Sequence, residues 1–205
     1  VIFAIPIGIY SATHRNQPSD HISRIFALFG VSTPAFWIGL MLIILFSLNL
    51  DWLPTGGYVS ILESPIGFIR HLILPIITLG TALMATSMRI TRSSMLEVLR
   101  EDYIATARAS GVSEIKIIYK YALRNACLPV LTVIGITMPV LLGGSVLTET
   151  IFALPGLGRL TIQALNNRDY PTLMGATIFF AVIFLFSMLL LDLAYAYLDP
   201  QIRYD

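Results

Sequence analysis

The sequence predicts an all-α, polytopic membrane protein: a bundle of helices that span a bilayer. Three observations carry that prediction. Of the 205 residues, 56% are hydrophobic and only 12% are charged, too few polar side chains to clothe a water-soluble globule of this size. The charges are clustered, which leaves uncharged runs long enough to cross about 30 Å of hydrocarbon. The polar stretches between those runs alternate in basic content, as loops on opposite sides of a membrane do.

Taken in chain order, Val1 to Ile9 is already apolar, with no initiator Met and no charged region before it, so it does not read as a signal peptide. It reads as the second half of a transmembrane helix whose beginning lies upstream, which makes any helix count a minimum. His14, Arg15, Asp20 and Arg24 mark a polar loop. Ile25 to Leu50 carries no charge and is expected to be one span, kinked near one end by Pro34. Asp51 to Arg70 reads as a loop, with Pro54, Gly56, Gly57 and Pro65 as turn formers and Trp52 and Tyr58 at interfacial positions. A helix is expected from near His71 to about Arg89.

Arg89 to Arg124 is the largest polar segment, with seven Lys or Arg and four acidic residues. Asn125 to Thr148 is free of charge and is expected as a helix bent by Pro129, Pro139 and Gly143-Gly144, the glycines allowing close helix packing. Glu149 to Thr172 reads as a Pro- and Gly-rich loop. Leu173 to about Tyr197 is the last span, with Phe179, Phe180, Phe184 and Phe186 as lipid-facing or packing surface, and Asp199 to Asp205 is a short tail. The 13–24 loop, the 89–124 segment and the tail hold ten of the thirteen Lys and Arg residues. Positive loops stay inside, so these three are expected in the cytoplasm, the C-terminus included.

The net charge of +1 gives no general attraction to nucleic acid. The single cysteine, Cys127, excludes an intrachain disulfide and a cysteine-built zinc site and reads as a small packing residue. His14, His21 and His71 are too scattered for a metal cage. A channel would call for a polar filter, and an intramembrane enzyme for a close set of reactive side chains, and neither pattern is visible in the sequence.

Within the long polar segment, Ser93 to Ala109 is rich in helix formers and is followed by Gly111, suited to a left-handed position after a helix. Ser113 can cap a second helix that lines up Ile115, Ile118, Tyr119 and Ala122 along one face. A helix, glycine turn and helix on the cytoplasmic side suits docking to another protein. Ala105, Ala107 and Ala109 permit close approach, and Glu101 and Arg108 can fix register. A solvated amphipathic loop is the plain alternative.

Glu101-Asp102-Tyr103-Ile104-Ala105-Thr106-Ala107-Arg108-Ala109-Ser110-Gly111, followed by Tyr121-Ala122-Leu123-Arg124-Asn125-Ala126-Cys127-Leu128-Pro129, resembles the EAA loop of binding-protein-dependent ABC importer permeases. Further matches lie at Pro34-Ala35-Phe36-Trp37, Trp52-Leu53-Pro54, Leu74-Pro75, Glu149-Thr150-Ile151-Phe152, Pro155-Gly156-Leu157-Gly158-Arg159-Leu160, Asn167-Arg168-Asp169-Tyr170-Pro171 and Asp199-Pro200-Gln201-Ile202-Arg203-Tyr204. Together they cover essentially the whole chain and resemble the dipeptide, oligopeptide and nickel permeases, specifically the first of the two permease subunits. Ala105 stands where the general pattern has Glu, and Tyr121-Ala122-Leu123-Arg124 replaces its Ile-x-Leu-Pro ending.

The resemblance implies a type I ABC importer permease of the MetI-like kind, here 1–205 with 91–125 as the ATPase-coupling segment and without the first helix and part of the second. It implies a second homologous permease, two cytoplasmic ATPase subunits that bind ATP and magnesium, and an external substrate-binding protein. No cofactor is expected on this chain, and no Gly-Lys-Ser or Gly-Lys-Thr of a phosphate-binding loop occurs in it. The coupling residues are expected to be Glu101, Ala105, Thr106, Ala107, Arg108 and Gly111. Glu149, Pro155, Gly156, Gly158 and Asp192 are candidates for the pathway or external gate. Asp192 is more readily read as a structural pairing partner, and the Pro155–Gly158 run as a re-entrant turn or an ordinary loop. The expected substrate is a di- or oligopeptide, with nickel as the alternative.

Overall fold

The structure, a computed structural model, describes residues 2–142 and 145–198; Gly143, Gly144 and the tail from Asp199 lie outside the described residues. Every regular element among the described residues is helical: α1 (Ala4–Thr13), α2 (Pro18–Ser32), α3 (Ala35–Leu42), α4 (Pro65–Val98), α5 (Asp102–Ala109), α6 (Glu114–Lys116), α7 (Leu123–Leu142), α8 (Val146–Ile151), α9 (Leu157–Asn166) and α10 (Tyr170–Leu198). Two π-helical segments, Ile43–Asn49 and Ile117–Ala122, extend α3 and join α6 to α7. Among the described residues three helical stretches are long and apolar enough to cross a membrane: Pro65–Val98, Glu114–Met138 and Tyr170–Ala196. The pair α2 and α3 passes that test only together.

Several boundaries differ from the sequence expectation. The uncharged run Ile25–Leu50 is two helices, not one kinked span. Pro34 is extended (φ −61°, ψ 133°) and caps α3, and the residue before a proline disfavours helical geometry, so the chain breaks at Thr33-Pro34. The helix expected from His71 to Arg89 runs from Pro65 to Val98. Pro65 supplies a preset first turn, and nothing between Arg89 and Val98 breaks a helix. At 34 residues and about 1.5 Å per residue, α4 is about 51 Å long, well beyond one hydrocarbon thickness. The separate helix expected over Ser93–Ala109 is therefore divided at Leu99–Glu101, where Arg100 and Glu101 donate tight turn bonds to Glu97 and Val98. Glu149–Thr172 is not a loop but contains the second half of α8, all of α9 and the start of α10.

The chain divides into two compact units. The first is formed by the described residues within Val1–Val31, Leu83–Thr137 and Ser187–Asp205. Its core joins Ile9 and Ala12 of α1, Met95 of α4, Ile104 of α5, Ile117 and Ala122 of the π segment, and Ala126 of α7. Helices α1 and α4 touch at Gly8, where a Cβ would lie 2.7 Å from that of Thr91, an approach only small residues allow. Tyr195 on α10 hydrogen-bonds Thr132 of α7.

The second unit comprises the described residues within Ser32–Ala82 and Met138–Phe186. Phe152, 1% exposed, is its anchor. Its ring lies against Gly39 of α3, which also abuts Thr78 of α4, and its carbonyl accepts the N–H of Gly57 at 2.8 Å. A Cβ on Gly56 would sit 2.5 Å from that same carbonyl oxygen, so the 51–64 loop lies tight on the end of α8. Phe179, Phe184 and Phe186 point outward, as a lipid-facing surface requires.

Candidate functional site

Helix α5 is short, and its residues split into two sets. Ile104 is fully buried and Ala107 packs on the same core, while Glu101, Ala105, Thr106, Arg108 and Gly111 are exposed. Burying one branched side chain among partners from α1, α4 and the π segment fixes α5 on its unit. Tyr103 adds a second anchor: its hydroxyl accepts from Asn125 Nδ2 at 2.9 Å.

Gly111 takes φ +77°, the left-handed geometry expected after a helix, and a Cβ there would meet nothing within 4 Å. Backbone conformation alone, not crowding, favours glycine at this position. Ser113 caps α6 by position (φ −65°, ψ 144°) with no side-chain bond to the helix. Arg108 does not pair with Glu101. Its Nε donates to Glu114 Oε1 at 2.7 Å across the glycine turn, and the carboxylate beside it raises the arginine's affinity for its proton. Both partners are exposed, so solvent screens the pair.

The expected face of Ile115, Ile118, Tyr119 and Ala122 is split: Ala122 is buried and Ile118 packs against the core, but the other two do not. Ile117 and Ala122 enter the core, whereas Ile115 and Tyr119 are 73% and 60% exposed. The π geometry of Ile117–Ala122 widens the turn and moves the inward face off the 3.6-residue spacing. The outcome is an exposed surface of small residues (Ala105, Ala109, Gly111) flanked by Ile115 and Tyr119, carried on a buried stem.

In the second unit Glu149, Gly156 and Gly158 form one block. Glu149 is 8% exposed, and its Oε2 accepts the backbone N–H of Arg159, in the first turn of α9, at 2.7 Å. A buried carboxylate thus meets unpaired amides at the positive end of a ten-residue helix. A Cβ on Gly156 would lie 2.0 Å from the Glu149 carboxyl carbon, and one on Gly158 would lie 3.0 Å from Val146. Both glycines make room for the acid from α8. Pro155 lies exposed at the turn before them, where Ala153 takes φ +49°. Asp169 caps α10, accepting the Thr172 hydroxyl at 2.6 Å and its N–H at 3.2 Å, and both bonds hold its carboxyl below the usual range. Asp192 is exposed on α10 in the first unit; it joins neither cluster and makes no ion pair among the described residues, unlike the pairing expected of it.

One network was not singled out from the sequence. Asp20, fully buried, accepts from Ser11 Oγ (2.6 Å), the Asn16 N–H (3.0 Å), and Arg92 Nε and Nη2 (2.6 and 2.8 Å). It ties the α1–α2 turn, where Asn16 has φ +64°, to α4 at Arg92, at the start of the 91–125 segment. Pro18 at the first position of α2 with an acid two residues later is a helix-start signal that marks Asp20. Its partner lies 72 residues away, beyond any sequence spacing rule.

Residues 4–204 match the family described as binding-protein-dependent transport system inner membrane component. The chain is 46% identical over 201 residues, 98% of its length, to a Brucella abortus protein of 64% coverage whose name refers to a peptide transport system permease. It is 46% identical to the dipeptide transport system permease protein DppB of Alkalihalophilus pseudofirmus (100% of this chain, 67% of the relative). It is also 44% identical to the oligopeptide transport system permease protein AppB of Bacillus subtilis (100% and 65%). The chain thus spans about two thirds of the length of these curated relatives. Matched along nearly its whole length and built on helices that can cross a bilayer, this multi-pass chain belongs to the inner membrane component family of binding-protein-dependent transport systems.

Proposed function

We propose that the chain is the membrane-spanning permease part of an ATP-driven, binding-protein-dependent importer of di- or oligopeptides, working by alternating access. The observation that supports this best is the α5–Gly111–α6 hairpin: an exposed surface of small residues on a stem buried in the helices it would move. Residues 91–125 would receive the motion of the ATPases, with Ala105, Thr106, Arg108 and Gly111 at the contact, Ala107 on the stem and Glu101 at the start of α5. The names of the relatives favour peptides over nickel.

On this reading the partners are a second homologous permease, two cytoplasmic ATPases holding ATP and magnesium, and an external binding protein. This chain carries out no hydrolysis and holds no cofactor. The basic loops and the C-terminus face the cytoplasm of a cell membrane. The Glu149–Gly158 block then lies on the outer side, and its buried acid makes it a rigid rim to the pathway or gate. Asp192 keeps a pathway role as the one exposed acid of α10 within Tyr170–Ala196.

The test is co-purification of the full-length protein with the products of neighbouring genes, then uptake of a labelled dipeptide and of nickel into vesicles with ATP. Peptide uptake that needs ATP supports the reading. Nickel uptake alone moves the substrate, and failure to recruit any ATPase overturns the permease assignment.

A further inference from the structure

Helices α2 and α4 border a groove of about 530 Å³ in the first unit. Its walls are apolar (Ile25, Ala27, Leu28 and Met88), and its rim carries Arg24 and Arg89. Arg92 also reaches the groove, but its charge is matched by Asp20. Among the described residues the side chains of Arg24 and Arg89 make no ion pair or hydrogen bond, and no carboxylate lines the groove. Two unmatched positive charges therefore overlook an apolar trough.

Their depth is informative. Arg24 is the last charge before the uncharged run from Ile25 to Leu50, and Arg89 is the first after the run from His71 to Met88. Both stand where a hydrocarbon interior gives way to phosphates. Below Arg24, Ile25, Leu28 and Phe29 of α2 are 68%, 67% and 54% exposed, so the trough continues into a surface suited to an acyl chain. Above it, a polar cavity of about 680 Å³ shares Arg24, Arg92 and Ser93 with the groove. That cavity contains Arg15 and Arg100 but also Glu97, Glu101 and Asp102. The acids oppose a headgroup with several phosphates, and they leave the Arg24–Arg89 end as the place for a single phosphodiester.

The geometry points to a binding site for one anionic phospholipid, of the phosphatidylglycerol class, in the leaflet from which the α5 hairpin emerges. Its phosphodiester lies between Arg24 and Arg89, one acyl chain in the trough, and its neutral glycerol in the polar cavity. The site abuts the Asp20–Arg92 pair and the start of α5, so the lipid braces the stem of the hairpin.

The test uses the purified full-length protein and reads lipid binding, not transport, so it stands apart from the proposed import activity. Native mass spectrometry with phosphatidylglycerol and phosphatidylcholine added in turn should show one lipid held preferentially when anionic. R24A/R89A should weaken that binding by about tenfold or more, and R24K/R89K should keep most of it. Equal retention of the two lipids, or unchanged binding in R24A/R89A, would overturn the proposal. Because the double variant can fail to fold, a photoactivatable phosphatidylglycerol on the unaltered protein provides a second reading. Labelling within 22–29 and 85–92 supports the site. Absence of label there, or cross-linking of Leu28→Cys to protein instead of lipid, means that another segment fills the groove and sinks the idea.

Discussion

Replacing Asp20 with Asn should weaken the first unit more than any other single polar substitution among the described residues. The carboxylate is fully buried and accepts four hydrogen bonds, two of them from one guanidinium. Removing one partner of a buried pair leaves an uncompensated charge and costs about 3–5 kcal/mol. The Arg92 side chain is 19% exposed and regains some hydration, which favours the lower end, about 3 kcal/mol. Asn keeps one acceptor oxygen but points an amide donor at groups that are themselves donors, so the remaining bonds do not offset the loss. For a chain of this size, 3 kcal/mol corresponds to a fall in Tm of roughly 6–12 °C. The assay is thermal unfolding of the full-length protein in detergent, run for D20N, R92M and D20L/R92M. The double variant, with no buried charge left, should recover much of the loss seen in either single one. Single and double losses that simply add, or a D20N shift below about 1 °C, would refute the argument from a coupled buried pair.

Gly111→Val should lower transport per ATP hydrolysed, because a β-branched residue at φ +77° is strained by roughly 1–2 kcal/mol, whereas Gly111→Asn should be tolerated since the space is open. Comparing uptake with ATPase rate in vesicles checks both. Gly156→Ala should destabilise the second unit by about 1–3 kcal/mol through overlap with the Glu149 carboxyl, and the added Glu149→Ala should relieve the overlap while costing the α9 cap; unfolding midpoints of these two variants and of Glu149→Ala alone decide. Asp169, held below the usual carboxylate range by Thr172, contributes stability that is present above the unfolded carboxylate pKa and lost as pH falls through the lower folded one. Asp169→Ala should therefore lower stability at neutral pH, flatten the pH dependence across that window and leave the most acid end unchanged.

The parts legible in the sequence were those governed by composition and by local backbone rules. The uncharged run from His71 and the last span were visible because a bilayer demands apolar length, and Gly111 was visible because few residues follow a helix in left-handed geometry. Boundaries are not legible where a charge falls inside a helix. Arg89 and Arg92 lie inside α4, and a helix continues through an arginine as readily as through a leucine once it leaves hydrocarbon. The proline at 34 was recognised but its effect was underestimated, since it restricts Thr33 as well as itself. In the segment after Gly111 a 3.6-residue template finds Ile118 and Ala122, which pack inward, but selects Ile115 where the π geometry gives the core Ile117. Long-range pairing, as of Asp20 with Arg92, leaves no mark in local spacing.

The two acids that matter most to packing are both buried and both bound to backbone N–H groups as well as to their elements' partners, yet they differ in what they hold. Glu149 stiffens a single block, joining α8 to the start of α9 eight residues on, and its loss should be felt locally. Asp20 joins the α1–α2 turn to the lower part of α4, the helix that leads directly into α5. On the proposed mechanism force enters at α5 and must reach helices that cross the membrane. Ile104 transmits it by contact to α1, α4 and the α7 stem, and Asp20 keeps α1 and α4 from sliding past each other as it arrives. A lever needs a rigid base, and here the base is the core around Ile104 together with the Asp20–Arg92 pair. D20N/R92M should therefore impair coupling beyond what its stability loss explains. Uptake per ATP that tracks unfolding midpoint alone across the Asp20 and Arg92 variants would reduce the pair to an ordinary packing contact.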